Sequence, residues 1–115
     1  MRPAARLGVH NPTLLHAIEY MGEHLEVPVP IADVAAHCSI SQRQLERLFT
    51  EHLGASPQGY YLRLRLEQAR ELLRDTDRSV LEVALACGFG SCASLSRAYR
   101  RHHGTPPSRD RRRLA

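Results

Sequence analysis

Residues 33–57 read DVAAHCSISQRQLERLFTEHLGASP, and residues 82–107 read EVALACGFGSCASLSRAYRRHHGTPP. The two stretches are copies of one pattern. Their first halves align at an offset of 49, which pairs Val34 with Val83, Ala35 with Ala84 and Cys38 with Cys87. Their second halves align at an offset of 50, which pairs Leu45 with Leu95, Arg47 with Arg97, His52 with His102, Gly54 with Gly104 and Pro57 with Pro107. One extra residue in the second turn explains the slip. Each copy reads as a short apolar helix, a tight turn and a polar helix carrying arginine. That layout is a helix-turn-helix, whose second helix is shaped to enter a DNA major groove.

Working outward, Asn11-Pro12 reads as an N-cap followed by proline at the first helical position. Leu14, Ile18, Met21 and Leu25 then form an apolar stripe at helical spacing, ending before Pro28 and Pro30. A second helix is expected over about 31–38, with Ile31, Val34, Ala35 and Cys38 inward. Ser41 and Gln44 make a capping box that opens a helix over about 41–52, and Gly54 ends it. The longest helix is expected over about 57–74. Its apolar face is Tyr61, Leu62, Leu66, Ala69, Leu72 and Leu73, and its charged face is Arg63, Glu67, Arg70, Glu71 and Arg74. Asp75-Thr76-Asp77 breaks it. Ser79 and Glu82 make a second capping box before a helix over about 80–87, Gly88-Phe89-Gly90 is the next turn, and Ser91 caps a helix over about 92–103. Thr105-Pro106 starts a short last helix that dissolves into Arg109-Asp110-Arg111-Arg112-Arg113.

The expectation is all-α: seven helices, with two helix-turn-helix subdomains joined by a long central helix. The segments are 1–10 as linker, 11–55 as first subdomain, 56–75 as connecting helix, 76–108 as second subdomain and 109–115 as a basic tail, disordered in the free protein. A start such as MRPAARLGVH reads as a linker at the head of a fragment, rather than of a complete short regulator.

Charge patterning suits a polyanionic partner, and equally a solvated basic face with a frayed tail. All sixteen basic residues are Arg, and the formal net charge is +4. Residues 1–60 hold four Arg against six acidic residues, whereas residues 61–115 hold twelve Arg against six. The positive charge therefore sits in the second half, as a phosphate-binding surface requires. Scarce aromatics and the absence of Trp fit a small helical protein better than a β-sandwich. No apolar run spans a membrane and no secretory signal core is present, and three Cys argue against a disulfide framework, so a reducing cytosol is expected.

The stretches LERLFTEHLGASPQGYYLRLRLEQARELL and SVLEVALACGFGSCASLSRAYRRHHGTPP resemble the DNA-binding domain of AraC/XylS-type transcription regulators. The most specific parts are Arg65, Leu66, Ala69, Leu72 and Leu73 on the central helix, and Gly88, Phe89, Ser94, Arg97, Gly104 and Pro107 in the second copy. The resemblance covers about residues 13–111. It is nearest to a subgroup with an N-terminal domain resembling class I glutamine amidotransferases, none of which is present here. The last helix departs from the family. An aromatic followed by Arg is common there, and this chain has Ser108-Arg109-Asp110-Arg111.

The resemblance implies bacterial transcription regulation by sequence-specific double-stranded DNA binding, with the helices at 41–52 and 91–103 as recognition helices in successive major grooves. It implies no enzymatic activity and no cofactor. RNA polymerase is a partner if the protein is an activator. The isolated domain is expected as a monomer, dimerising through an N-terminal domain, in the cytoplasm at the nucleoid. On the residues themselves, Arg47 and Arg97 suit bidentate contact to guanine O6 and N7, with a salt bridge back to the protein as the alternative role. Gln42, Arg43 and Gln44 are further base or phosphate candidates, although Gln44 is also claimed by its capping box. Glu46 suits cytosine N4, or an intrahelical pair with Arg43 or Arg47. In the second copy Ser91, Cys92, Ser94 and Ser96 are small and allow close approach, while Arg97, Arg100 and Arg101 face phosphates. The first copy should therefore carry more sequence information and the second more phosphate binding. Helix N-termini at Ser41 and Ser91 offer backbone N–H groups to phosphates.

Other chemistry is poorly supported. Cys87, Cys92, His102 and His103 lack the spacings of a zinc site, so no metal is expected. Cysteine and histidine are present, but no nucleophile turn or orienting acid suggests a hydrolase. A non-DNA-binding helical protein-interaction module is the remaining alternative. It explains the amphipathic helices but not the repeated Arg-bearing helix.

Overall fold

The computed structural model describes residues 10–111. The expected linker before them and the arginines at 112 and 113 lie outside the described residues. Seven helices follow in order: α1 Pro12–Gly22, α2 Ile31–His37, α3 Gln42–Leu53, α4 Pro57–Asp75, α5 Val80–Ala86, α6 Cys92–His103 and α7 Pro107–Arg111. No strand occurs among the described residues. The all-α expectation therefore stands, with a helix-turn-helix formed by α2–α3 and another by α5–α6.

Local chemistry sets the helix ends. Asn11 Oδ1 accepts from the Leu14 N–H at 2.9 Å, with Pro12 at the first helical position. Ser41 Oγ accepts from Gln44 N at 3.1 Å while Gln44 Oε1 accepts from Ser41 N at 2.8 Å, which completes the capping box of α3. Ser79 and Glu82 do the same for α5 at 3.0 and 2.8 Å. Gly54 and Gly104 end α3 and α6 at φ 65° and 81°, a left-handed conformation that glycine adopts without a Cβ penalty.

The repeat extends to the turns. The Ile40 N–H bonds to the Ala35 carbonyl at 3.1 Å, and its equivalent Phe89 N–H bonds to Ala84 at 2.8 Å. Between them sit Ser39 at φ 60° and Gly88 at φ 84°. The chain thus makes one left-handed turn twice, with glycine in the second copy and serine in the first. Gly90 is the additional residue of the second turn.

Two compact units result. Among the described residues, the first takes in those up to His24 and Pro28–Leu62, and the second takes in Leu25–Val27 and those from Arg63 on. In the first unit α1 packs on α2 and α3. Leu14, Ala17, Ile18, Met21, Val34, Leu45, Phe49 and Tyr60 are buried there. Phe49 meets Tyr60 edge-on, with ring centroids 5.6 Å apart. The Tyr61 hydroxyl donates to the His24 carbonyl and accepts from the Val29 N–H, which fixes the loop between α1 and α2. In the second unit Leu66, Ala69, Leu73, Val83, Ala84, Cys87, Phe89, Leu95 and Tyr99 form one buried cluster.

Several expectations need correction. Leu25 lies beyond the end of α1 and is only half-buried, while Ala17 takes a place in the core. Ile31 and Cys38 are half-buried rather than inward. The apolar face of α4 is not one stripe: Pro57, Tyr60 and Tyr61 are buried in its first turns, then Leu66, Ala69 and Leu73, while Leu62 is 36% exposed. The helix contributes its start to one unit and the remainder to the other, so no single stripe serves its full length. The C-terminal stretch does not dissolve at Arg109. Arg109, Asp110 and Arg111 belong to α7, and Asp110 is buried at 4% exposure.

Candidate nucleic-acid interface

The polar face of α3 follows from burial of the opposite one. Leu45 and Phe49 are fully buried, which turns Arg43, Glu46, Arg47 and Thr50 outward at the i, i+3, i+4, i+7 spacing of a single helix face. In α6 the equivalent anchors are Leu95 and Tyr99, and the outward positions are Ala93, Ser96, Arg97 and Arg100, with Arg101 beside them. The repeat therefore places Arg47 and Arg97 at the same point on equivalent helix surfaces. The two faces differ in charge. Glu46 and Glu51 balance Arg43 and Arg47 on α3, whereas α6 carries Arg97, Arg100 and Arg101 without an acid.

Arg43, Arg47, Arg97, Arg100 and Arg101 are exposed, and none makes an ion pair or hydrogen bond among the described residues. The salt bridge weighed as an alternative role for Arg47 and Arg97 is not formed, nor is a pair from Glu46 to Arg43 or Arg47. The guanidiniums are therefore available to an anionic partner without first breaking a contact.

The short polar residues are less free. Gln44 is held in the capping box, so it reaches a base only by giving up the Ser41 N–H. The Ser91 hydroxyl accepts from Ser94 N at 3.1 Å. Gln42 is exposed beside the α3 cap, while Cys92, Ser94 and Ser96 are half-buried along α6. Apart from the Gln44 and Ser94 N–H groups, which Ser41 and Ser91 engage, the first N–H groups of the twelve-residue helices α3 and α6 lack intrahelical acceptors.

Residues behind the surface set its geometry. Arg65 on α4 donates from Nε to the Cys87 carbonyl at 2.9 Å and from Nη2 to the Gly88 carbonyl at 2.8 Å, and its guanidinium lies 4.3 Å from the centre of the Phe89 ring. It thereby braces the turn that aims α6. Sequence reading placed Arg65 in a family motif but gave it no task. Asp110 is the second such residue. It accepts from the Tyr99 hydroxyl and from Arg74, at 3.3 Å from Nε and 3.0 Å from Nη2, and it lies 3.7 Å from Arg70 Nε. Arg111 donates to the Leu73 and Thr76 carbonyls. α7 is thus pinned to both α4 and α6. Arg70 and Arg74, expected on an outward charged face of α4, turn to Asp110 instead, and Glu67 pairs with His102 at 3.2 Å.

Burial pushes up the Asp110 carboxyl, but the Tyr99 hydrogen bond, the Arg74 hydrogen bond and the two guanidinium charges outweigh it and hold the group below its ordinary range. Burial, aided by Asp110, raises Tyr99. The three cysteines are free thiols, and burial pushes Cys87 up to about 11, so it stays protonated. The described histidines and cysteines do not gather as Cys87, Cys92, His102 and His103. Instead His102 and His103 meet Glu67. Among the described residues, no helix is long and apolar enough to cross a membrane.

A family model described as a helix-turn-helix domain matches residues 34–113. The transcriptional regulator CdhR of Pseudomonas aeruginosa is 47% identical over 111 residues, covering 96% of this chain and 33% of that protein. The chain spans about a third of the length of the curated relatives it matches. A crystal structure of an AraC-type transcriptional regulator from Chromobacterium violaceum is 42% identical, with a TM-score of 0.87, covering 90% of this chain and 93% of that one. The DNA-binding domain of AdpA, solved in complex with a target DNA, is 32% identical with a TM-score of 0.81, covering 89% and 92%. The chain belongs to the family of AraC-type helix-turn-helix DNA-binding domains of transcription regulators.

Proposed function

We propose that α3 and α6 insert into successive major-groove turns of one DNA duplex, about 34 Å apart along its axis, and so read a bipartite site for transcription regulation. The observation that carries this reading is the repeat of an exposed arginine, Arg47 and Arg97, on equivalent faces of two helices, with neither side chain paired among the described residues. Each is suited to a bidentate contact with guanine, worth roughly 1–3 kcal/mol of discrimination. Arg43, Gln42 and Glu46 add base-edge donors and acceptors on α3, and Gln44 contributes through the helix cap. Arg100 and Arg101 face phosphates, and Ser91, Cys92, Ser94 and Ser96 let α6 approach the groove closely. Under this reading α3 supplies more of the sequence preference and α6 more of the phosphate binding. If the groove segments do not match the spacing of the helices, DNA bending adds specificity through sequence-dependent flexibility.

The wider setting rests on the family. The chain acts as the DNA-binding part of a longer bacterial regulator, working at the nucleoid in the cytoplasm. A ligand-sensing, dimerising domain stands on its N-terminal side, of the amidotransferase-like subgroup. Where such a regulator activates, it also touches RNA polymerase.

Selection of tight-binding duplexes from a random pool, with titrations at several salt concentrations, tests the reading. The expected result is an enriched site with two motifs about one helical turn apart. Absence of binding at low salt sinks the DNA reading and favours a protein-interaction module.

A further inference from the structure

The second unit gathers three metal-binding side chains that DNA contact does not use. Glu67 on α4 and His102 and His103 at the end of α6 each offer one donor atom, and the three atoms lie within 4.8 Å of one another. One pair is already close: His102 Nε2 is 3.2 Å from Glu67 Oε2. Two ligands of a tetrahedral zinc ion, each about 2.0–2.1 Å from it, sit about 3.3 Å apart. The His102–Glu67 separation fits a ligand pair as well as the ion pair it forms here. The two imidazoles meet edge to face, with centroids 4.5 Å apart. Glu67 and His102 are exposed, so small side-chain rotations can draw the third donor in.

His103 is held as a ligating imidazole is usually held. Its Nε2 donates to the Leu66 carbonyl at 3.3 Å, and its ring rests against Tyr99 at 4.3 Å. A second N–H donated to a backbone carbonyl fixes the orientation and tautomer of a metal-bound histidine.

We propose that Glu67, His102 and His103 form a binding site for a divalent transition metal of the zinc type, completed by water. Two nitrogens and one carboxylate suit zinc and its neighbours, whereas magnesium and calcium favour all-oxygen sets. The ion would tie the last turn of α6 to α4 and so stiffen the helix that carries Arg97, Arg100 and Arg101. The inference rests on the geometry of the second unit and stands apart from the DNA reading.

Zinc binding to the 115-residue chain by calorimetry and equilibrium dialysis, with cobalt(II) absorption as a geometric probe, tests the site. The expected result is one zinc per chain, no response to magnesium, and a rise in Tm of about 5 °C at saturating zinc. Glu67→Gln and His102→Ala should each weaken binding by at least about tenfold. Both positions are exposed, so both variants fold, which circular dichroism confirms. His37→Ala, on the separate cluster where His37 meets His16 and Tyr20, should leave binding unchanged. Lack of stoichiometric binding at micromolar zinc, binding that survives both Glu67→Gln and His102→Ala, or binding lost with His37→Ala overturns the proposal.

Discussion

Arg47 and Arg97 are exposed and have no partner among the described residues, so their removal should leave the fold untouched. Surface substitutions without partners usually change stability by less than about 0.5 kcal/mol. Arg47→Ala should therefore keep its Tm while losing roughly 1–3 kcal/mol of discrimination at one base position. Titrations of the selected site and its single-base variants measure this. Greater relaxation of specificity by Arg97→Ala than by Arg47→Ala would reverse the division of labour between the two helices. Arg65 should behave in the opposite way. Arg65→Met removes two charge-assisted bonds to the Cys87 and Gly88 carbonyls, and should cost about 2 kcal/mol of stability, read by urea unfolding. Repetition made Arg47 and Arg97 legible from the sequence, since equivalent positions stand out when a pattern recurs. Arg65 has no counterpart in the repeat, and its partners lie 22 and 23 residues away, so nothing local announced its task.

Helix α7 is anchored through one buried carboxylate, Asp110. Asp110 draws together Tyr99 on α6 and Arg70 and Arg74 on α4. Its carboxyl is held below its ordinary range, so the stability it contributes is present above the unfolded value of about 3.9 and is lost as pH falls through the lower folded value. Melts from pH 7 to pH 3 should show this loss, and Asp110→Asn should flatten it. At pH 7 the same substitution leaves two guanidiniums facing a neutral amide. Because both arginines are about a third exposed, water screens them, and the cost should be about 2–3 kcal/mol rather than the larger figure for a fully buried pair. The short last helix was legible at Thr105-Pro106, but its continuation through Arg111 and the role of Asp110 were not, because RDRRR reads as a solvated basic run and the partners of Asp110 lie 36 and 40 residues away on α4. The capping boxes at Ser41 and Ser79 were legible for the converse reason: donor and acceptor lie three residues apart, and no tertiary contact is needed to foresee them.

At the scale of the whole molecule, charge and repeat point to different consequences. Positive charge is concentrated in the second half of the chain, and on α6 it is carried by three arginines with no acid beside them. Affinity for any duplex should therefore fall steeply with salt, with log K against log salt sloping by about −0.9 for each phosphate neutralised. If Arg100 and Arg101 each neutralise one phosphate, Arg100→Ala and Arg101→Ala should each reduce the slope by about 1 and weaken specific and random duplexes alike. Arg47→Ala should instead weaken the specific duplex and leave random binding and its slope nearly unchanged. The comparison is informative because the two helices share a fold and an apolar anchor pair, Leu45 with Phe49 and Leu95 with Tyr99, and differ mainly in their outward charge. An equal loss of slope from Arg47→Ala and Arg101→Ala would mean that both copies grip phosphate equally. Sequence preference would then arise from the glutamines and Glu46 of α3, or from the deformability of the DNA between the two motifs.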